Sequence, residues 1–320
     1  MLIKKSFFTI VFLFLTTLCF ANNTLFEFEP EFGFLNGTIV ENVWKTRVVD
    51  SKDKLTYYPT TRLSRLDWQS TNIPYFGFNT KLFLEPNWFT SFNAKFNTQS
   101  KVVGIMEDYD WTLPDPIHLT NYSKHDNFLN NYCSIYFLTG YEFNITSNDI
   151  ELKLTPFAGF HVEYIFFEGI GGYKTYEEDN WEVIPWKEDE KVITYSQSIK
   201  TPFLGFNINT LIENHIYFNL SESIHYIIKL IAIDHHCVYN GYFKDEITNS
   251  ILFEIKAAAG LKFNKNKIGI TGSVSYIPDS YGFTYNSSKP NHFPKKPSLS
   301  GLGGTSRILW SYGLTYTISY

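Results

Sequence analysis

After residue 21 the chain has no run of about 18 apolar residues, the least that a membrane-spanning helix needs. Basic residues are not in surplus either: 27 Lys and Arg stand against 32 Asp and Glu, which argues against a nucleic-acid partner. Cysteine is scarce. Behind Cys19 there are only Cys133 and Cys237, which either pair in an oxidising compartment or pack as small apolar residues. Aromatic side chains, by contrast, are abundant. There are 22 Tyr and 30 Phe in a chain whose mean hydropathy is only −0.17. A soluble β-protein could be this aromatic; a β-barrel in an outer membrane should be, because it needs two aromatic girdles and an apolar band one face deep.

The leading segment explains the compartment. Lys4 and Lys5 precede an apolar run over 6–20, and Ala21 offers a small residue for cleavage, so 1–21 reads as a removed signal peptide. Bulky Leu18 disfavours a lipoprotein site at Cys19. Cleavage removes two lysines and no acid, taking the formal charge from −5 to −7 and leaving 22–320 as one domain.

The last strand is the clearest element. Ile308, Trp310, Tyr312, Leu314, Tyr316, Ile318 and Tyr320 alternate with mostly small or polar residues, a period of two held to the chain end. Similar alternation flanks turns at 85–87, 146–149, 211–215 and 264–267. Between these hairpins lie longer polar connections near 45–70, 111–127, 168–193, 237–249 and 278–305. Four short and five long connections join ten strands. The expected fold is all-β: a ten-stranded antiparallel transmembrane β-barrel with long extracellular loops.

Two stretches carry paired ionisable groups: Asp108 and Asp110 in MEDYDW, and Asp234 and His236 in IDHH. Each pair is spaced i, i+2, which puts both side chains on one face of a strand. Both stretches fall where a strand enters a long outer connection, so the pairs can meet across the barrel mouth. An imidazole held by a carboxylate can act as a base, and two close carboxylates can hold a water and share a proton. Together they could activate water for direct attack on a peptide carbonyl. A solvated Asp-x-Asp turn and a polar strand end are the plainer alternatives. A metal at Asp234, His235 and His236 is disfavoured, since adjacent histidines on a strand point to opposite faces. One constraint follows from parity: Phe92 and Phe96 face lipid at even positions, as do Ile216 and Phe218 in the other strand. Inward-facing pairs therefore require a bulge or irregular residue in each strand, or strand ends that twist above the membrane.

With these residues in view the chain resembles the omptins, outer-membrane proteases built as ten-stranded barrels. The paired-aspartate segment is matched by Glu107-Asp108-Tyr109-Asp110-Trp111 and the D-x-H segment by Asp234-His235-His236. Ser123-Lys124-His125, Ser64-Arg65-Leu66-Asp67-Trp68 and Leu35-Asn36-Gly37 through Glu41 match three further family elements in order.

The resemblance implies an endopeptidase of aspartate/histidine type, with Asp234 and His236 as activating dyad and Asp108 with Asp110 as water-holding couple. Ser123 and His125 would line the site, with no base assigned to make Ser123 a nucleophile. Glu41 would help receive a basic substrate side chain. Where dibasic-cutting omptins carry a second pocket acid, this chain has Ala232, which puts basic preference in doubt. It implies no metal or other cofactor, with lipopolysaccharide as the candidate activating lipid. However, Gly159-Phe160-His161-Val162-Glu163-Tyr164 lacks the family's arginine at the lipid-binding wall. Expected partners are peptide or protein substrates outside the cell and outer-membrane lipid, for a monomer in the outer membrane whose site faces outward. The rival reading is a non-proteolytic barrel acting as an adhesin or binding protein through its loops. A porin fits less well, since side chains largely fill so narrow a lumen.

Overall fold

Alternation like that of the last strand organises the whole molecule. The computed structural model describes residues 26–51, 54–111, 118–147, 149–290, 292–298 and 301–320; the expected signal peptide lies outside the described residues. The strands are β1 (Phe26–Ser51), β2 (Lys54–Phe83) and β3, formed by Trp88–Asn97 and Lys101–Asp110. They continue with β4 (Asn121–Tyr141, extended by Phe143–Ser147), β5 (Ile150–Tyr176) and β6 (Lys191–Ile212). Next come β7 (Ile216–Ile227 and Lys229–His236), β8 (Gly241–Ile247 and Ser250–Phe263), β9 (Asn266–Ser287) and β10 (Gly301–Ser319). Each strand pairs antiparallel with the next, and β10 returns to β1, with Glu27 opposite Ser319 and Glu41 opposite Thr305. Closure removes the sheet edges and satisfies the backbone within the ladder, which is what lets strands cross a bilayer.

The lower half carries the lipid face. Phe32, Phe137, Leu204, Phe218, Ile270 and Leu314 are all exposed there. Neighbouring rings pack across strands, as Phe32 does on Phe76 with centroids 5.0 Å apart. Above this band the strands continue. β1 and β2 stay paired up to Ser51 and Lys54, so 45–51 and 54–70, expected as parts of a connection, are strand. They lack an apolar outer row because they stand above the hydrocarbon layer, and their alternation is correspondingly faint.

The irregularities that parity requires are present. Residues 98–100 interrupt β3, and the register with β4 shifts between Val102 and Gly104. Below the break Phe89 and Ser91 are buried at odd positions; above it Met106 is buried at an even one. In β7 the break is Ile228 alone. Tyr217, His225 and Ile227 face inward below it, and Leu230, Ala232 and Asp234 above it. A slip of one residue moves every following side chain to the other face.

Side chains occupy the lumen. Fully buried Trp68 stacks between Phe167 and Tyr195, at centroid distances of 5.8 and 5.5 Å, and makes a floor beneath the upper cup. Deeper down, Lys95 pairs with Glu31 at 2.8 Å, Arg307 pairs with Glu163, and a cavity of about 270 Å³ opens toward the short turns. Cys133 and Cys237 are both free thiols.

Candidate active site

The upper ends of β2, β3, β4, β6, β7 and β8 assemble the site. In the ladder Asp108 stands opposite Leu66 on one side and Ser123 on the other; Asp110 stands opposite Ser64 and Asn121. Across the cup Asp234 lies between Tyr195 of β6 and Phe243 of β8. All four residues of the two pairs are above the lipid-facing band.

Asp234 is buried, and its Oδ2 accepts a hydrogen bond from His236 Nε2 at 2.7 Å. With Nε2 engaged, Nδ1 is the ring nitrogen left for other work. Tyr239 stacks on the imidazole at 4.9 Å and Phe243 meets it edge-on at 5.4 Å, fixing the ring plane. Burial disfavours the charge on His236, but Asp234, then Asp108 and Asp110, outweigh it and raise the imidazole to about 9.

The opposing couple is set the other way. Burial raises Asp108 well above the usual carboxylate range, and the charge of Asp110 adds to it; His236 and a hydrogen bond from Ser64 pull back. Asp110 is raised too, mainly by burial, against hydrogen bonds from Ser64 and Asn121 and the charge of His236. Asp108 Oδ1 is buried without a hydrogen-bond partner. Two carboxylates that resist joint ionisation, beside one imidazole that both of them influence, can hold a proton and a water between them.

Ser123 and His125 join this wall. His125 Nδ1 donates to the Gly171 carbonyl at 2.6 Å, so Nε2 is free to accept from the Ser123 hydroxyl at 2.9 Å. Burial lowers the His125 pKa, consistent with a neutral ring. The serine therefore does have a base within reach, which two-residue spacing alone did not reveal.

Glu41, expected to face inward, is buried at 3% exposure, and its Oε2 has no partner. Burial, then the charges of Asp234, Asp245 and Asp108, push it well above the ordinary glutamate range. Ala232 is buried on the same inner face as Asp234. Sequence reasoning missed Asp245. It is buried opposite Ala232 on β8, accepts from the Thr284 hydroxyl at 2.7 Å, and is raised to about 7, chiefly by burial. Only the register of two neighbouring strands brings it here; nothing in Lys244-Asp245-Glu246 marks it. In the 159–164 stretch, Phe160, Val162 and Tyr164 are exposed, whereas His161 and Glu163 are buried. Among the described residues no group of three His, Cys, Asp or Glu could hold a metal ion.

The omptin family profile matches residues 27–318. Among solved structures, the outer membrane protease OmpT from Escherichia coli matches with a TM-score of 0.75 at 17% identity, covering 92% of this chain and 97% of that one. That likeness is one of fold. A FadL homologue from Pseudomonas aeruginosa matches at 6% identity with a TM-score of 0.26, covering 94% of this chain and 91% of that one. The translocator domain of the autotransporter NalP from Neisseria meningitidis matches at 6% and 0.26, covering 93% and 91%. Nothing about this chain rests on those two. Comparison with curated proteins finds no match.

Proposed function

The chain belongs to the omptin family of outer-membrane proteases, and we propose that it cleaves peptides at the cell surface through a water activated between Asp108, Asp110 and the Asp234–His236 dyad. The observation that carries this reading is the 2.7 Å pair of Asp234 and His236 with both opposing aspartates acting on the same imidazole. Asp234 holds the ring and stabilises the imidazolium. His236 in its neutral form takes the proton of a water resting on the aspartate couple. The hydroxide attacks the peptide carbonyl, and a proton held by the couple can meet the developing oxyanion. As the tetrahedral intermediate collapses, the imidazolium returns its proton to the departing amine. No bond to the protein forms.

Substrates would be extracellular peptides and proteins, with cationic ones favoured in encounter by the acidic 177–190 connection and the net negative charge. The test is cleavage of a quenched-peptide library by the refolded protein, with and without lipopolysaccharide, beside Asp108→Asn and His236→Ala. Cutting by the parent that both variants lose by about 100-fold or more supports the mechanism. Parent-like cutting by either variant rules it out, and a folded parent that cuts nothing leaves the loops as the functional surface.

A further inference from the structure

The upper cup is acidic, yet a lysine stands in its wall. Asp108 of β3, Ser123 of β4 and Lys174 of β5 are opposed in one cross-strand row, and Asp110, Asn121 and Tyr176 form the next row. Residues directly opposite in a ladder share a face, so Lys174 and Tyr176 look into the cup with the aspartates. The connection after β5 then folds back beside them. Ile184 and Pro185 pair with Lys174 and Tyr173, and the Trp186 amide donates to the Gly172 carbonyl at 2.9 Å. This return depends on a kink at Gly171 and Gly172, both at positive φ, where a side chain would strike the backbone of Glu188 or Lys124. Gly171 also supplies the carbonyl that holds His125, so one kink sets both features.

Three hydrogen-bond donors gather here. The Lys174 ammonium lies over the rings of Tyr176 and Trp186, 4.6 and 5.0 Å from their centroids. The connection over 177–190 is rich in acids, but among the described residues Lys174 forms no ion pair, whereas Lys191 pairs with Glu168 and His118 with Glu177. Trp186 Nε1 is buried without a hydrogen-bond partner, an expensive state unless something arrives to accept from it. Burial raises the Tyr176 phenol and the charges of Asp108 and Asp110 add to this, so its hydroxyl stays protonated and able to donate. An ammonium, an indole N–H and a phenol O–H suit a ligand that brings negative oxygens, and on a peptide that group is a carboxylate.

We propose that Lys174, Trp186 and Tyr176 form a subsite for a carboxylate of the substrate, an acidic side chain or a free C-terminus a few residues from the scissile bond. This rests on the protease reading for its place in catalysis, but not for binding itself. The acidic cup repels anionic chains at a distance, so the carboxylate is expected on a peptide that is otherwise neutral or basic. Fixed on the β5 side, it would set the direction in which the chain crosses the aspartate couple.

The experiment has two arms. In the first, a basic host peptide carrying Glu or Gln at successive positions, and ending in a free acid or an amide, is cleaved by the parent and by Lys174→Met, Lys174→Arg and Trp186→Phe. Methionine keeps an apolar stem on the two rings, so the barrel should persist. For one such pair the parent should favour the charged peptide by about 10-fold in kcat/KM, the effect of one charged hydrogen bond. Lys174→Met should abolish that ratio, Trp186→Phe should lower it, and Lys174→Arg should keep much of it. A lysine with only a structural role would lower both members of each pair alike. The pair that shows the preference tells a side chain from a C-terminus. In the second arm the same peptides, dye-labelled, are bound to His236→Ala with and without Lys174→Met, and read by fluorescence anisotropy. The same preference should appear in Kd and vanish with the lysine. Equal cleavage of every pair by a parent that cuts, together with equal binding, overturns the proposal and leaves the protease. Lys174-dependent preference in binding, from a barrel whose parent cuts no peptide, keeps the subsite and removes the protease. Neither cutting nor selective binding removes both.

Discussion

Replacing Asp234 by asparagine separates what the dyad contributes from what burial opposes. His236 is mostly buried, and burial alone would hold it below its ordinary 6.5; in the protein it is raised to about 9. The difference from 6.5 corresponds to roughly 3 kcal/mol in favour of the imidazolium. Because the folded-state pKa is the higher one, this contribution to stability is fully present below about pH 6.5. It is lost as the pH rises through about 9. In Asp234→Asn the imidazole should titrate well below the parent value, and most of that pH dependence of stability should disappear. The assay is histidine NMR in detergent micelles across pH 5 to 10, paired with denaturant unfolding at both ends of the range. Activity follows the opposite sign: the neutral ring is the base, so kcat/KM of the parent should climb with pH and level off near 9. A parent His236 that titrates at or below 6.5, or one that Asp234→Asn leaves in place, would refute the reasoning.

Three more outcomes are expected. Trp68→Ala removes the centre of the aromatic floor and should cost about 3–5 kcal/mol, read as a lowered unfolding midpoint on heat-modifiability gels. Arg307→Met leaves buried Glu163 without its partner and should cost about 3–5 kcal/mol, much of it regained with Glu163→Gln in the same chain, by the same gels. Ser123→Ala should lower peptide cleavage by less than about tenfold, and a fluorophosphonate should not label the parent. Loss to background in the alanine variant, or labelling of Ser123, would instead point to a covalent mechanism using His125.

Much of the architecture is written in the membrane-embedded strands. Ile308 through Tyr320 alternate because every second side chain must satisfy lipid, and that demand leaves a plain period of two. Above the lipid band it is relaxed, which is why 45–51 and 54–70 look like loop in sequence and are paired strand in space. The paired aspartates and the dyad were legible because i, i+2 spacing survives any rotation of the strand. Parity even showed that a break was needed below each pair, though Ile228 itself carries no local signal. Asp245 and the Ser123–His125 bond were not legible. The first depends on which residue of β8 faces Ala232, and the second on a carbonyl 46 residues away that fixes the imidazole tautomer.

The two breaks, at 98–100 and at Ile228, have a consequence for how such a molecule can be rebuilt. Each acts as a phase shifter between a part tuned to lipid and a part tuned to substrate. Residues below can therefore be added or removed in pairs to suit a thicker or thinner bilayer without turning the catalytic groups outward. Deleting Ile228 alone should remove the joint yet keep Asp234 and His236 facing inward, because Leu230 then follows Ile227 by two positions and the alternation runs on unbroken. In engineering terms the protein is a cup joined to a membrane plug, and a graft between relatives should be cut at these joints.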